Sequence, residues 1–374
     1  MPRKLPALAS LVAILVTACA YDGHFEDCAV RCATDGAACP DGLSCGGEGL
    51  CRVPGILTAC AVTDAPTGDT LPRCAGLAAT CGPGSNDDCC STATPIPGGT
   101  FYRSYDVAGD GMFPDTSYPA TVSAFQLDKY EVTVGRFRAF VNAGMGTRMN
   151  PPAIDTGART LNGSADQAGW DPSWDPNLAS DTLSLAAVVQ CDSTYQTWTD
   201  TPGAHEDLPM NCVTWYEAFA FCAWDGGFLP TEAEWNFATT GGSEQRAYPW
   251  SSPAGSTTID CSYANYDSDS GTYCANEGAG GTTLVGSTSP KGDGKWGHAD
   301  LGGNVFEWNL DWYAPAYTTA DCIDCADLTP TDKRAARGGG YYLTSDYLRT
   351  GNRYFDTPST RFPGLGLRCV RPAS

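Results

Sequence analysis

Cys322-Ile-Asp-Cys325 is the pair of side chains best spaced for chemistry. A Cys-x-x-Cys can cycle between dithiol and disulfide, or supply half of a metal site. Asp321, Asp324 and Asp327 crowd this one. Their charge opposes a thiolate and raises its pKa, so the sequence favours a closed structural disulfide. The rival is a loop whose two thiolates hold a metal. Carboxylates come next. Glu217 and Glu234 could pass for catalytic acids, yet each stands three residues after a threonine, Thr214 and Thr231. That is the spacing of a helix capping box, which accounts for both. Histidine offers little: His24, His205 and His298 are the only three, and none sits at zinc-finger spacing from a cysteine pair.

The elements that must position these groups are short. Thr133 can cap a helix over 134–142 that puts Val134, Phe137, Phe140 and Val141 on one face. The two capping boxes open helices that stop at Gly226-Gly227 and Gly241-Gly242. Residues 120–127 alternate as a strand. Residues 145–210 and 251–297 show no period and read as long loops pinned by disulfides. Pairing by proximity joins Cys191 with Cys212 and Cys261 with Cys274.

Of 19 cysteines, ten fall within residues 28–90, a stretch poor in aromatics, whereas all ten tryptophans lie at or beyond Trp170. The first stretch cannot build much core and must be held by disulfides. Pro95-Ile-Pro-Gly-Gly99 marks the expected boundary, giving a disulfide module over 28–97 and a main domain over 98–374. Gly (43) and Pro (26) together favour a loop-rich fold over a helical bundle. Lys plus Arg number 22 against 43 for Asp plus Glu, a net charge of −21. Phosphates would repel such a chain, so nucleic acid is not an expected partner; its acidity leaves calcium open.

Residues 1–18 read as an export signal, with Arg3 and Lys4 before an apolar run too short to span a bilayer. Val16-Thr-Ala-Cys19 resembles a bacterial lipobox. Lipid on Cys19, followed by a tether over 19–27, would anchor an exported chain; the resemblance to Gram-negative lipoproteins, with no Asp after Cys19, implies the outer membrane.

Six blocks in order now form a pattern: Phe125-Gln-Leu-Asp-Lys-Tyr-Glu-Val-Thr133, Leu229-Pro-Thr-Glu-Ala-Glu-Trp235, Tyr248-Pro-Trp250, Gly303-Asn-Val-Phe-Glu-Trp308, Arg337-Gly-Gly-Gly-Tyr341 and Gly364-Leu-Gly-Leu-Arg-Cys369. The pattern resembles the formylglycine-generating enzyme, or sulfatase-modifying factor, family. The resemblance implies an α+β, loop-rich variant of the C-type lectin fold. It also implies oxygen-dependent oxidation of a cysteine on copper(I) held by two thiolates. Those thiolate positions fall on Leu343 and Leu348, which have no lone pair to give, so copper is not expected here.

Other family features carry over better. One calcium site maps to the side chains of Asp300 and Glu307 with the carbonyls of Gly303 and Val305; a second maps to Asn265, Tyr266, Glu277 and Ala279. Hard oxygen ligands in irregular loops suit calcium in a structural role. Cys222 and Cys369 match a family disulfide, while a second family pair falls on Ala238 and Arg353. The resemblance therefore points to a surface lipoprotein that binds an exported peptide, protein or glycan without catalysis. Its expected face is the family's substrate groove, near Phe306, Tyr341, Tyr342, Tyr347, Arg349 and Arg353. The alternative is a metal- and oxygen-dependent oxidase acting on exported proteins.

Overall fold

The computed structural model describes residues 44–45, 51–52, 77–109, 113–162, 164–167, 169–268, 271–275, 278–317 and 322–373. The export signal, Cys19 and Glu277 lie outside them. The chain divides into two units, Met1–Thr67 and Gly68–Ser374. In the first, β1 (Ser44–Cys45) pairs antiparallel with β2 (Cys51–Arg52).

The second unit is built from short pieces. It begins with β3 (Gly99–Tyr102), β4 (Pro119–Val122), β5 (Phe125–Leu127) and α1 (Val134–Asn142). The hairpin β6 (Arg159–Leu161) and β7 (Ser164–Gln167) follows, then α2 (Thr182–Val188), α3 (Trp215–Trp224) and α4 (Glu232–Thr240). The last strands are β8 (Phe306–Trp312), β9 (Cys322–Ile323), β10 (Arg334–Arg337), β11 (Tyr354–Asp356), β12 (Leu365–Gly366) and β13 (Val370–Pro372). The central sheet has the order β11-β10-β8-β12, with only β12 and β8 parallel. A second sheet runs β3-β4-β9, and β13 pairs with β5. Among the described residues no helix is long and apolar enough to cross a membrane.

Local chemistry explains the helices. Thr133 accepts from Arg136 N, and both Thr214/Glu217 and Thr231/Glu234 form complete capping boxes. Gly241, at φ 65°, ends α4 in the left-handed conformation that glycine adopts without a Cβ clash. Val134, Phe137, Phe140 and Val141 are all buried. With Trp215, Phe219, Phe221 and Trp308 they make the main core, between the helices and the central sheet. Arg136 enters the same interior because Asp128 and Asp225 each meet it at 2.9 Å. Burial works against the Asp128 charge, but Arg136 and Arg371 outweigh it and hold its carboxyl below the usual range.

Three expectations need correction. The boundary falls at Thr67/Gly68 rather than at 97/98. Residues 77–97 belong with the larger unit: Ile96 is fully buried and exchanges hydrogen bonds with Phe125, and the Cys81–Cys89 disulfide packs on Tyr130, Val285 and Ala299. The cysteine density there masked a docking segment. The 145–210 stretch holds the β6–β7 hairpin and α2, which Asp181 caps by accepting from Ser184 N at 2.8 Å. The 120–127 strand is split between β4 and β5.

Candidate functional site

Gly338 and Gly339 leave β10 at φ 109° and 76°, and a Cβ on Gly339 would come within 2.8 Å of Leu348 Cδ1. The turn therefore closes directly onto Leu348. Leu348 is 1% exposed among Tyr248, Trp250, Ala264 and Tyr266. Leu343 packs instead against the main core, and its carbonyl accepts from Asp267 N at 2.9 Å. The two leucines thus serve separate hydrophobic clusters. Every cysteine from Cys81 to Cys369 is disulfide-bonded, including Cys191–Cys212, Cys222–Cys369, Cys261–Cys274 and Cys322–Cys325. Copper(I) requires soft sulfur donors, and these residues do not supply them.

Part of the aromatic set is brought together by the fold. Phe306, almost wholly buried, stacks on Tyr354 at 4.3 Å and meets Tyr342 at 6.5 Å. Tyr342 lies 5.3 Å from Tyr341, and Tyr341 lies 5.7 Å from Tyr195. Tyr195 also borders a cavity of about 390 Å³, lined further by Thr194, Thr197, His205 and Leu208. His205 is fixed there by a 2.9 Å bond between Nδ1 and the Thr197 carbonyl. Neither Tyr195 nor His205 announced itself in the sequence. Tyr347 is 47% exposed on a 3-10 turn, Ser345–Leu348. Arg349 leans over the Tyr248 ring and stands 3.8 Å from Asp106.

Arg353 is a correction. It is 7% exposed and gives two bonds to Glu232, Nε to Oε1 at 2.6 Å and Nη2 to Oε2 at 2.7 Å. Arg337 Nε adds a third at 3.1 Å. An arginine so engaged has no fork left for an anion in the aromatic groove. The sequence singled out Glu234 and passed over Glu232, which is the centre of this buried network. Burial opposes the Glu232 charge, but Arg353 and Arg337 outweigh it and hold its pKa at about 2.

Asp311 has the opposite balance. Burial first, then the Glu232 charge, push it up to about 7, although it accepts from Glu232 N at 2.7 Å and Asp327 N at 2.8 Å. A folded-state pKa above the unfolded value means that the native state holds a proton the unfolded chain gives up. That contribution to stability is complete below about pH 4 and is lost as pH rises through 7. Asp311→Asn should therefore gain stability relative to the parent as pH climbs from about 4 to 7, with no further change above. Urea midpoints measured across that range check the sign.

The calcium candidates divide. Glu307 spends both oxygens on Arg368, at 2.8–3.1 Å, and on Trp235 Nε1, at 2.7 Å. Asp300 Oδ2 accepts from Gly286 N. Glu131, absent from the sequence-based ligand set, joins them: it is fully buried and accepts from Asn304 Nδ2 at 2.7 Å and Val305 N at 3.2 Å. Burial and its two acidic neighbours push Glu131 well above the usual range, and burial pushes Asp300 to about 6. Three buried acids beside Arg368 leave negative charge that protons or a hard cation must balance. At the second candidate, Asn265 donates to Gly281 O at 2.9 Å and Asn304 Oδ1 at 3.1 Å, while its own Oδ1 is buried without a hydrogen-bond partner. An orphaned buried carbonyl is costly, and it is the donor type that calcium takes.

Residues 83–373 match the model of the sulfatase-modifying factor enzyme 1-like domain. The chain is 30% identical over 299 residues to the formylglycine-generating enzyme of Streptomyces coelicolor, covering 74% of this chain and 88% of that protein. It is 29% identical to a Mus musculus protein named inactive C-alpha-formylglycine-generating enzyme 2, covering 74% of this chain and 85% of that one. Among solved structures, PvdO from Pseudomonas aeruginosa superposes with a TM-score of 0.51 at 20% identity, over 75% of this chain and 93% of that one, a likeness of fold.

Proposed function

The chain belongs to the formylglycine-generating enzyme (sulfatase-modifying factor) family, and from that premise we propose that it is a binding protein that has given up the family's copper chemistry. The observation that carries this reading is the pair Leu343 and Leu348, set in separate apolar clusters with no thiolate nearby among the described residues. The occupant is an exported peptide, protein or glycan, received at the 390 Å³ cavity that Tyr195 borders, with Tyr341 packed against the Tyr195 ring. Display on the outer membrane through lipid at Cys19 completes the proposal. A relative that bears the name inactive supports loss of the reaction within this family. Oxygen consumption by the purified protein, given copper(I) and a cysteine-containing peptide, tests it: uptake should not exceed that of free copper, and protein-dependent turnover would overturn it.

Calcium in this reading is structural. It uses Asn265 Oδ1 at one site and the charge of Asp300 and Glu131 at the other. A ligand bound only to the native state at 100 times its Kd stabilises by about 2.7 kcal/mol, roughly 5–10 °C in Tm for a domain of this size. EDTA should lower the Tm by that order and added calcium restore it. Asn265→Ala combined with Asp300→Ala should abolish the response. An EDTA-insensitive melt of the parent removes calcium from the account.

A further inference from the structure

The Cys322–Cys325 disulfide lies in the wall of a separate cavity of about 250 Å³, lined also by Arg103, Asp311, Tyr317 and Arg353. Its two sulfurs differ. Cys322 is 4% exposed, whereas Cys325 is half-buried and reachable. Arg103 Nη1 stands 3.8 Å from Cys325 Sγ. The neighbouring acids that the structure describes are engaged elsewhere by hydrogen bonds, although Asp327 also lines the cavity. Asp324 is turned away, accepting from Ser123 N and Oγ at 2.6 Å, and Asp327 accepts from Thr329 N at 3.0 Å. Glu232 is neutralised by Arg353 and Arg337. Asp311, buried in the same cavity wall, holds its proton up to about pH 7.

Hydrogen bonds from Asn162 also hold the loop. Asn162 Nδ2 donates to Ala326 O at 3.0 Å, Asn162 Oδ1 accepts from Ala326 N at 3.2 Å, and Asn162 N donates to Asp324 O at 3.1 Å. A bridge that closes so short a loop adds little chain restraint, so its location in a cavity beside a guanidinium needs another reason.

We propose that Cys322–Cys325 is a thiol–disulfide exchange site for a dithiol-bearing polypeptide. The thiolate of the incoming polypeptide attacks Cys325 Sγ. The Cys322–Cys325 bond breaks, and the electron pair leaves on Cys322, which takes a proton from solvent. The polypeptide's second thiolate then attacks its own sulfur in the mixed disulfide, and Cys325 departs as a thiolate held by Arg103. The balance is one polypeptide dithiol oxidised to a disulfide and one protein disulfide reduced to a dithiol. No metal or oxygen enters, and the activity is independent of the binding groove.

Dithiothreitol serves as the probe on the purified full chain, with alkylation and peptide mapping to identify the opened bonds. Cys322–Cys325 should open at least tenfold faster than Cys261–Cys274, which is also solvent-accessible through exposed Cys261 but shows no arginine contact among the described residues. Equal rates would mean that exposure alone governs reduction, and would overturn the proposal. In Cys322→Ser, the alkylation rate of Cys325 should show a midpoint at least one pH unit below the roughly 8.5 of an ordinary thiol. Adding Arg103→Gln should move that midpoint back up, whereas Arg103→Lys should keep it low. If the Gln variant does not fold, the Cys322→Ser profile decides: a midpoint at or above 8.5 refutes the site.

Discussion

Replacing Cys222 and Cys369 together by alanine is expected to lower the unfolding free energy by about 5 kcal/mol, the chain-entropy value for a loop of this length. The bridge spans 147 residues and ties α3 to the segment between β12 and β13. Both sulfurs are fully buried in the main core, so the reduced chain would also lose packing there. The corresponding drop in Tm is roughly 10–20 °C. The Cys261–Cys274 bridge spans only 13 residues near the surface, and its removal should cost distinctly less. Calorimetry on the two double variants checks the ranking; equal losses would show that loop length is not what makes the long bridge stabilising.

Glu232→Gln should be nearly as damaging. It leaves Arg353 and Arg337 buried against a neutral amide, and removing one partner of a buried ion pair costs about 3–5 kcal/mol. The pH dependence identifies the cause. The Glu232 pKa is depressed in the folded state, from 4.5 to about 2. The charge therefore stabilises fully above about pH 4.5, and the benefit disappears as pH falls through 2. The difference between parent and variant in denaturant midpoint should shrink along that path. A difference independent of pH would make Glu232 a packing residue rather than the anion of the network.

These two features were unequally legible in the chain. Capping boxes are local, so Thr214/Glu217 and Thr231/Glu234 mark α3 and α4 within a residue of where they begin. Glu232 lies between the two cap residues, and nothing local distinguishes it. Its partners arrive from 105 and 121 residues away. The same holds for Arg103, which reaches Cys325 across 222 residues, a contact that the local run of acids in the sequence does not suggest. Glu131 sits inside a recognisable block, yet its neighbours Asp300 and Glu307 meet it only after the fold closes. The docking of residues 77–97 was hidden by a composition that reads as a disulfide knot, although Ile96 already offers the buried side chain. α2 could have been found: Asp181 stands three residues before Ser184, ahead of Leu185 and Val189, both fully buried.

The Tyr195–Tyr341 contact shows why the groove was only half readable. Tyr341 and Tyr342 lie in a block with a clear pattern, whereas Tyr195 comes from a stretch without periodicity. Binding surfaces on loops carry no repeat, because side chains there answer to a partner rather than to a helix or strand period.

The proposed function stands on the reading of Leu343 and Leu348 as the counterparts of the family's thiolate pair. Its most direct test is titration of the purified protein with copper(I) against a chromophoric chelator of known affinity. The account predicts that the chelator keeps all of the metal, for the parent as for a variant lacking Cys322 and Cys325. One equivalent of copper retained by the parent, with peptide-dependent oxygen uptake, would contradict it.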